Sequence, residues 1–332
     1  MKVLLPSNAA GRQRVMRNAM PIAIFLAISA VALSLPLWSD SAISAFSVFN
    51  TVQNASTLGL LALGVGLTIV IGEFDLSSVA MFTFGGLLAV RFGEAQPLLG
   101  IAIAMAAGGS IGLLQGQIMS LTGISSVPLT LGGYIVLLGL CHIVAGEGIL
   151  AYANYEPGLW LDAALPFGFS PRSLIVLAIF VAVWGTLRWT KAGIAIRATG
   201  ADRRAANASG LSTAKVVTAV FSFSGVCCAL GGALFAYSTT AAKYDLGLDP
   251  FIAALTAILV GGVDIRGGRG SAMGILLGVM AMSLLDTIFL QLAMPTYLAD
   301  LLRGGLLLAI VMLQAPDLTS RFVRWRNAAK HR

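Results

Sequence analysis

Two carboxylates, Glu73 and Asp75, sit in the stretch TIVIGEFDLSSVAMFTFGG (Thr68–Gly86) between apolar runs that are each fit for lipid. Charge at the centre of a bilayer costs about 2.5–3.5 kcal/mol per residue on insertion scales, so the pair needs a physical reason. A short turn at the cytoplasmic face would leave both groups solvated. A helix broken at membrane depth would instead use Asp75 or Ser77 to cap the restart, with the carboxylate at the positive end of the new helix. Non-helical backbone at depth persists only inside protein or beside a water-filled cavity, so that arrangement makes Glu73, Asp75 and Ser77 part of a polar path. Position in the sequence is compatible with both.

Three amides, Asn50, Gln53 and Asn54, stand at i, i+3 and i+4 and share one helix face. Such a stripe either bonds a neighbouring helix or lines a wet path. Amides donate and accept hydrogen bonds, so a wet stripe suits a polyol or sugar. Asp300 and Arg303 are three apart and can neutralise each other, whereas Asp286 has no partner nearby in sequence and is an intramembrane candidate ranking behind Glu73 and Asp75.

Catalytic sets are absent from the sequence. Cys141, Cys227 and Cys228 lie in apolar runs without ligand spacing and read as buried thiols, and the two histidines, His142 and His331, cannot build a metal site or a triad. No phosphate loop is present, because RGGRGSAMG lacks the lysine such a loop needs. The expectation is a chain that is no enzyme and binds no metal or cofactor, with energy supplied by another subunit or an ion gradient.

The elements that position these residues follow from composition. Of 332 residues 58% are hydrophobic and 11% charged, against about 25% charged in soluble domains. The reading is an all-α polytopic membrane protein with about ten crossings, near 20–37, 46–71, 76–92, 98–120, 127–146, 171–189, 216–238, 250–263, 272–293 and 296–314. The first run is longer than a signal core of roughly 7–15 residues and no A-x-A site follows it, so it reads as a retained helix. Residues 1–19 form a basic segment, 20–314 the transmembrane domain and 315–332 a basic tail.

Lys2, Arg12, Arg14 and Arg17 precede the first run and Arg321, Arg324, Arg326, Lys330 and Arg332 follow the last, which places both termini in the cytoplasm. The same bias places the loop at about 190–215 inside and the acidic stretch with Glu147, Glu156 and Asp162 outside. The net charge of +7 then reflects orientation and lipid headgroups rather than nucleic acid. Gly108, Gly112 and Gly116 recur every fourth residue, as do Gly274 and Gly278, clearing faces for close helix approach. An internal echo sets IVIGEFDLSS against ILVGGVDIRG, pairing Gly72 with Gly261 and Asp75 with Asp264, and the helix count makes the two copies parallel.

Four ordered segments carry a resemblance: FNTVQNASTLGLLALGVGLTIVIGEFDLSSV, SVPLTLGGYIVLLGL, KAGIAIRATGADRRAANASGLS and AILVGGVDIRGGRGSAMGILLG. Together they resemble the ribose-type (branched-chain/monosaccharide) ABC importer permeases over about Asn50 to Leu313. The resemblance implies a ten-helix permease of the bacterial inner membrane that pairs with a second copy or a homologous permease. It also implies two cytosolic ATPase subunits that hold ATP and Mg, and a periplasmic or extracellular solute-binding protein that delivers a sugar or similar solute. In that family a short cytoplasmic helix docks into the ATPase; the matching positions here are Ala198, Gly200, Asp202, Ala205, Ala206, Ser209, Gly210 and Leu211. This chain departs from the pattern at three places. Arg203 and Arg204 stand where an acidic residue is common, Glu73 where glycine is usual, and Gln115 where an asparagine is common. The alternative reading is an ion-coupled secondary transporter using Glu73, Asp75 or Asp286.

Overall fold

The structure, a computed structural model, describes residues 7–37, 43–146 and 148–314. Thirteen α-helices and one two-stranded ladder are found among them: α1 (Ser7–Ser34), α2 (Ala45–Val70), α3 (Ser78–Phe92), α4 (Pro97–Thr122), α5 (Ser126–Ala145), β1 (Ile149–Ala151), α6 (Glu156–Leu161), α7 (Pro171–Trp189), α8 (Lys191–Ala201), α9 (Arg203–Ala208), α10 (Thr213–Thr239), β2 (Ala241–Lys243), α11 (Asp249–Val260), α12 (Ala272–Gln291) and α13 (Thr296–Gln314). Seven helices are long and apolar enough to cross a membrane, and α3 and α11 are shorter apolar helices. The all-α class and the multi-pass character are as expected. The short ladder, α6, the division of the 190–215 loop into the two helices α8 and α9, and the start of α1 at Ser7 rather than residue 20 were not. The basic tail, Lys2 and Glu147 lie outside the described residues.

The core is built on α2 and α10, whose central residues are almost wholly buried while α4, α5 and α13 turn much of their apolar surface outward, as helices facing lipid do. Glycine sets the closest contacts. A Cβ at Gly108 or Gly112 of α4 would lie 2.3 or 2.1 Å from the carbonyl oxygens of Gly225 and Phe221 on α10, and one at Gly116 would lie 2.6 Å from Thr218 Cα. The four-residue glycine spacing thus clears the α4 face that meets α10. Gly274 and Gly278 do the same for α12 against α11, where their Cβ atoms would meet the carbonyls of Gly261 and Ala257 at 2.3 and 1.9 Å.

Contacts between helix ends sort the bundle into two ends. Val70 at the close of α2 lies against Gly200 near the close of α8 and Gly268 before α12, and Ser120 of α4 donates to the Ala214 carbonyl at the start of α10; this is the lower end. At the upper end Tyr237 of α10 donates to the carbonyls of Ala89 and Pro97, Arg172 at the start of α7 meets Gln53, and β1 pairs with β2 in antiparallel register, Leu150 opposite Ala242. Tyr152 stacks on Tyr237 at 4.7 Å and donates to the Gly93 carbonyl at 2.9 Å. Burial pushes the Tyr152 phenol up, so it keeps its proton and stays a donor.

Two long helices each end in a non-helical segment that leads into a short helix, α2 into α3 and α10 into α11. Phe74-Asp75-Leu76 and Tyr244-Asp245-Leu246 occupy the same place in these segments. In each, the aspartate Oδ1 accepts the N–H two residues on, from Ser77 at 3.0 Å and from Gly247 at 2.7 Å. The first segment lies toward the lower end and the second toward the upper, so the related units run in opposite directions.

The echo read in the sequence concerns a different pair, the α2–α3 and α11–α12 turns, and its register is shifted by one residue. The α11–α12 turn does share the stop of α2: Gly72 and Gly262 have φ of +82° and +78°, and the next N–H returns to the carbonyl five residues back, Glu73 to Thr68 and Val263 to Ile258. This is the Schellman stop that glycine adopts without a Cβ penalty. It pairs Gly72 with Gly262, one residue away from the register expected with Gly261.

Candidate functional site

The segment joining α2 to α3 is held from two sides. Ser126 Oγ of α5 accepts the Phe74 N–H at 3.1 Å, and Thr130 Oγ1, one turn further, accepts the Leu76 N–H at 3.1 Å. Ser77 Oγ donates to Asp75 Oδ1 at 2.6 Å, and since a hydroxyl has one proton, Gln115 Nε2 of α4 is the donor in its 3.0 Å contact with Ser77 Oγ. A Cβ at Gly133 of α5 would lie 2.5 Å from that Nε2, so the glycine makes room for the amide. Ser78 Oγ donates to the Asp75 carbonyl at 2.7 Å. Asp75 therefore caps α3 through its carboxylate, while Ser77, the formal N-cap, makes no capping bond.

Depth follows from the partners. Gln115 is seven residues before the end of α4 at Thr122, and Gly133 seven after the start of α5 at Ser126. At 1.5 Å per residue Ser77 lies about 10 Å inside the lower ends of both helices. Asp75 is 3% exposed and Ser77 fully buried. Of the two arrangements the sequence leaves open, the broken helix within the bundle is the one formed. Ser126, Thr130 and Gln115 were not among the candidates; a hydroxyl at the first turn of a helix four residues before another was the available signal for the first two.

Glu73 has a different role. Its Oε1 lies 2.6 Å from Arg203 Nη2, at 13% side-chain exposure for the glutamate and 43% for the arginine. Asp202 caps α9 by accepting the N–H groups of Arg204 and Ala205 at 2.9 and 3.0 Å, which is why the chain restarts as a separate helix after α8. Behind the ion pair, three backbones meet. A Cβ at Gly200 would lie 1.9 Å from the Val70 carbonyl oxygen and 2.5 Å from the Gly268 nitrogen, and Gly268 N donates to that same carbonyl at 2.7 Å. Gly200 is thus a packing position against α2 and the α11–α12 turn. Among the other loop candidates Asp202, Ala205, Ser209 and Gly210 are exposed, Ala198 and Leu211 half-buried and Ala206 buried.

The amide stripe divides. Asn54 is exposed and Asn50 half-buried, on the open side of α2. Gln53 is buried, and its Oε1 takes three donors: Ser170 Oγ at 2.8 Å, and Arg172 Nη2 and Nε at 3.1 and 3.3 Å. Arg172 also reaches Thr57 Oγ1 at 3.2 Å and pairs with Asp162 at 2.9 Å, and Ser238 of α10 donates to the same carboxylate. Arg172 is 5% exposed, so this upper cluster ties α2, α7 and α10 through one cation. Sequence reading missed Arg172, whose amide and hydroxyl partners Gln53 and Thr57 lie 119 and 115 positions away in the chain.

Asp286, without a partner nearby in sequence, finds Arg303 at 2.9 Å across the α12–α13 pair, and Arg303 also holds Asp300 at 3.1 Å as its i, i+3 spacing allows. The cysteines are free and buried. Among the described residues no group of His, Cys, Asp and Glu is arranged to hold a metal ion.

Comparisons place this geometry among known proteins. A family model described as branched-chain amino acid transport system/permease component matches residues 47–311. The ribose import permease protein RbsC of Escherichia coli (strain K12) is 25% identical over 272 residues, covering 80% of this chain and 85% of that protein. The L-arabinose ABC transporter permease protein AraH of Azospirillum brasilense is 25% identical over 93% of this chain and 91% of its own. The autoinducer 2 import system permease protein LsrD of Klebsiella pneumoniae is 28% identical, covering 83% and 86%. No solved structure matches the chain. With the match spanning α2 to α13, the chain belongs to this permease family of ABC transport systems, and is a multi-pass transport subunit rather than an enzyme.

Proposed function

We propose that this chain is the membrane-spanning subunit of an ATP-driven importer for a sugar or similar small polar solute in a bacterial inner membrane. The similar proteins named for ribose, L-arabinose and autoinducer 2 import support that substrate class. Ten helices, α1 to α5, α7 and α10 to α13, cross the membrane, with the lower end and both termini in the cytoplasm. The alternation of upper and lower helix ends and the basic termini support this count. A second copy or a homologous permease completes the path, a solute-binding protein delivers from the upper side, and cytosolic ATPases hold ATP and Mg.

The observation that carries the reading is the seat of α9. Its exposed residues face away from the bundle while Arg203 grips Glu73 and Gly200 wedges against Val70 and Gly268. A displacement of α9 by a docked ATPase is therefore delivered directly to the breaks between α2 and α3 and between α11 and α12. Those breaks contain the non-helical backbone that switches most readily between packings, and closing one end while opening the other is alternating access. In this scheme Asn50 and Asn54 line the path, Asp75 and Ser77 hold the α3 restart beside it, and Gln53 is fixed to Arg172 as a wall.

Glu73 and Asp286 are each neutralised by arginine, which occupies the carboxylates that an ion-coupled carrier would use. Affinity capture of the tagged chain from its own membrane tests the proposal. An ATPase whose activity rises when periplasmic extract and a pentose are added supports it, and a chain purified without any ATPase refutes it.

A further inference from the structure

The upper counterpart of the Asp75 segment carries groups that no part of the scheme above uses. Asp245 is exposed, and among the described residues its carboxylate accepts one hydrogen bond, from its own Gly247, with no cation paired to it. Asp75, by contrast, is buried and its carboxylate accepts both the N–H and the hydroxyl of Ser77. The neighbouring Tyr244 sets its ring edge-on to His142 of α5 at 4.2 Å. His142 lies three residues before the end of α5. The segment therefore dips below the upper end of α5. The length of α11 agrees: its 12 residues span about 18 Å, too short for a hydrocarbon core of about 30 Å, so the chain reaches its start already inside the layer.

An exposed, unpaired carboxylate at that depth cannot face lipid, and extended backbone there must line protein or water. We propose that Tyr244–Leu248 forms a substrate contact on the upper side of the path for a neutral polyhydroxylated solute, with Asp245 accepting its hydroxyls and the Tyr244 ring covering its C–H face. A carboxylate with one oxygen uncommitted takes two O–H donors, and an aromatic ring offers apolar cover that tolerates either orientation of a sugar. Asp249, four residues on in the first turn of α11, adds a second carboxylate that repels anionic solutes. This assignment rests on the importer reading and adds the side from which the solute first meets the chain.

The test uses the full-length chain in intact cells, with Cys141, Cys227 and Cys228 replaced by alanine and Asp245→Cys introduced. The probe is a sulfonated, membrane-impermeant methanethiosulfonate added outside. Asp245→Cys is expected to react about tenfold faster than Leu114→Cys on the outward face of α4, since only a water-lined site presents a thiolate to the reagent. Saturating D-ribose, L-arabinose, D-xylose or D-galactose should slow the reaction several-fold, at least for one of the four, while glutamate should not. Equal slow labelling of both positions overturns the proposal, as does rapid labelling that no sugar slows. A disulfide between two Asp245→Cys copies overturns it too, by placing the residue against a second copy. Capture of an ATPase by the same cells separates the two readings: ATPase present with any of these negative results rejects the contact alone, and ATPase absent rejects the importer.

Discussion

Glu73 and Arg203 are 130 positions apart and meet with 2.6 Å between Oε1 and Nη2, joining the broken α2–α3 segment to α9. They are also two of the places where the chain departs from the pattern it resembles, a carboxylate in place of glycine and an arginine in place of an acid. The two departures compensate each other. Glycine at position 73, usual in that pattern, would remove this contact. Because Arg203 is nearly half exposed, the pair is worth at most about 1 kcal/mol. Glu73→Gly and Arg203→Glu should each lower uptake by a few-fold, and Glu73→Arg combined with Arg203→Glu should recover most of it. Uptake measured across this cycle checks the contact, and equal loss in the double variant would show that the pair does not act as one.

Asp75→Ala should be severe and Asp75→Asn mild. Alanine leaves the buried N–H and hydroxyl of Ser77 without their acceptor, a cost of about 1–3 kcal/mol. Asparagine keeps an oxygen at the same place. Thermal unfolding of the purified chain in detergent, read alongside uptake, should rank wild type above Asn and Asn well above Ala.

Gly200 and Ala205 should fail in different ways. A methyl at Gly200 meets the Val70 carbonyl at 1.9 Å, so Gly200→Ala should lower thermal stability and disturb both helix breaks. Ala205→Asp changes an exposed side chain in the first turn of α9, where a negative charge is compatible with the helix. It should leave folding intact and prevent ATPase association. Stability and co-purified ATPase, measured on both variants, separate packing from docking.

Arg172→Met should cost about 3–5 kcal/mol, the range for removing one partner of a buried charge, because the Asp162 carboxylate and Gln53 Oε1 lose their shared donor. Loss of folded protein in the membrane is the readout. Adding Asp162→Asn should restore part of it, since no unpaired charge then remains.

The helices, the α4 glycine face and the Asp300–Arg303 pair were legible in the sequence because each depends on local spacing: apolar run length, a four-residue period, an i, i+3 pair. What was not legible depends on chain reversal. Asp286 needs Arg303 from the antiparallel next helix, and Gln53 is claimed by Arg172 only once α7 packs along α2. The likeness of the Asp75 segment to Tyr244-Asp245-Leu246 was hidden because only three residues carry it, whereas the glycine-rich 258–267 stretch offered a longer match. The cap at Asp202 was readable as a helix start, yet within a loop read for its partner it went unused.

The central claim, that ATP hydrolysed on partner subunits drives solute through this chain, is tested most directly in right-side-out vesicles from cells expressing it. They are loaded with ATP or a non-hydrolysable analogue and supplied with periplasmic extract and labelled D-ribose or L-arabinose. The account predicts uptake with ATP alone, unchanged when ionophores collapse the proton and sodium gradients and absent in Ala205→Asp. Uptake that follows an imposed ion gradient without hydrolysable ATP, and persists in Ala205→Asp, would contradict it.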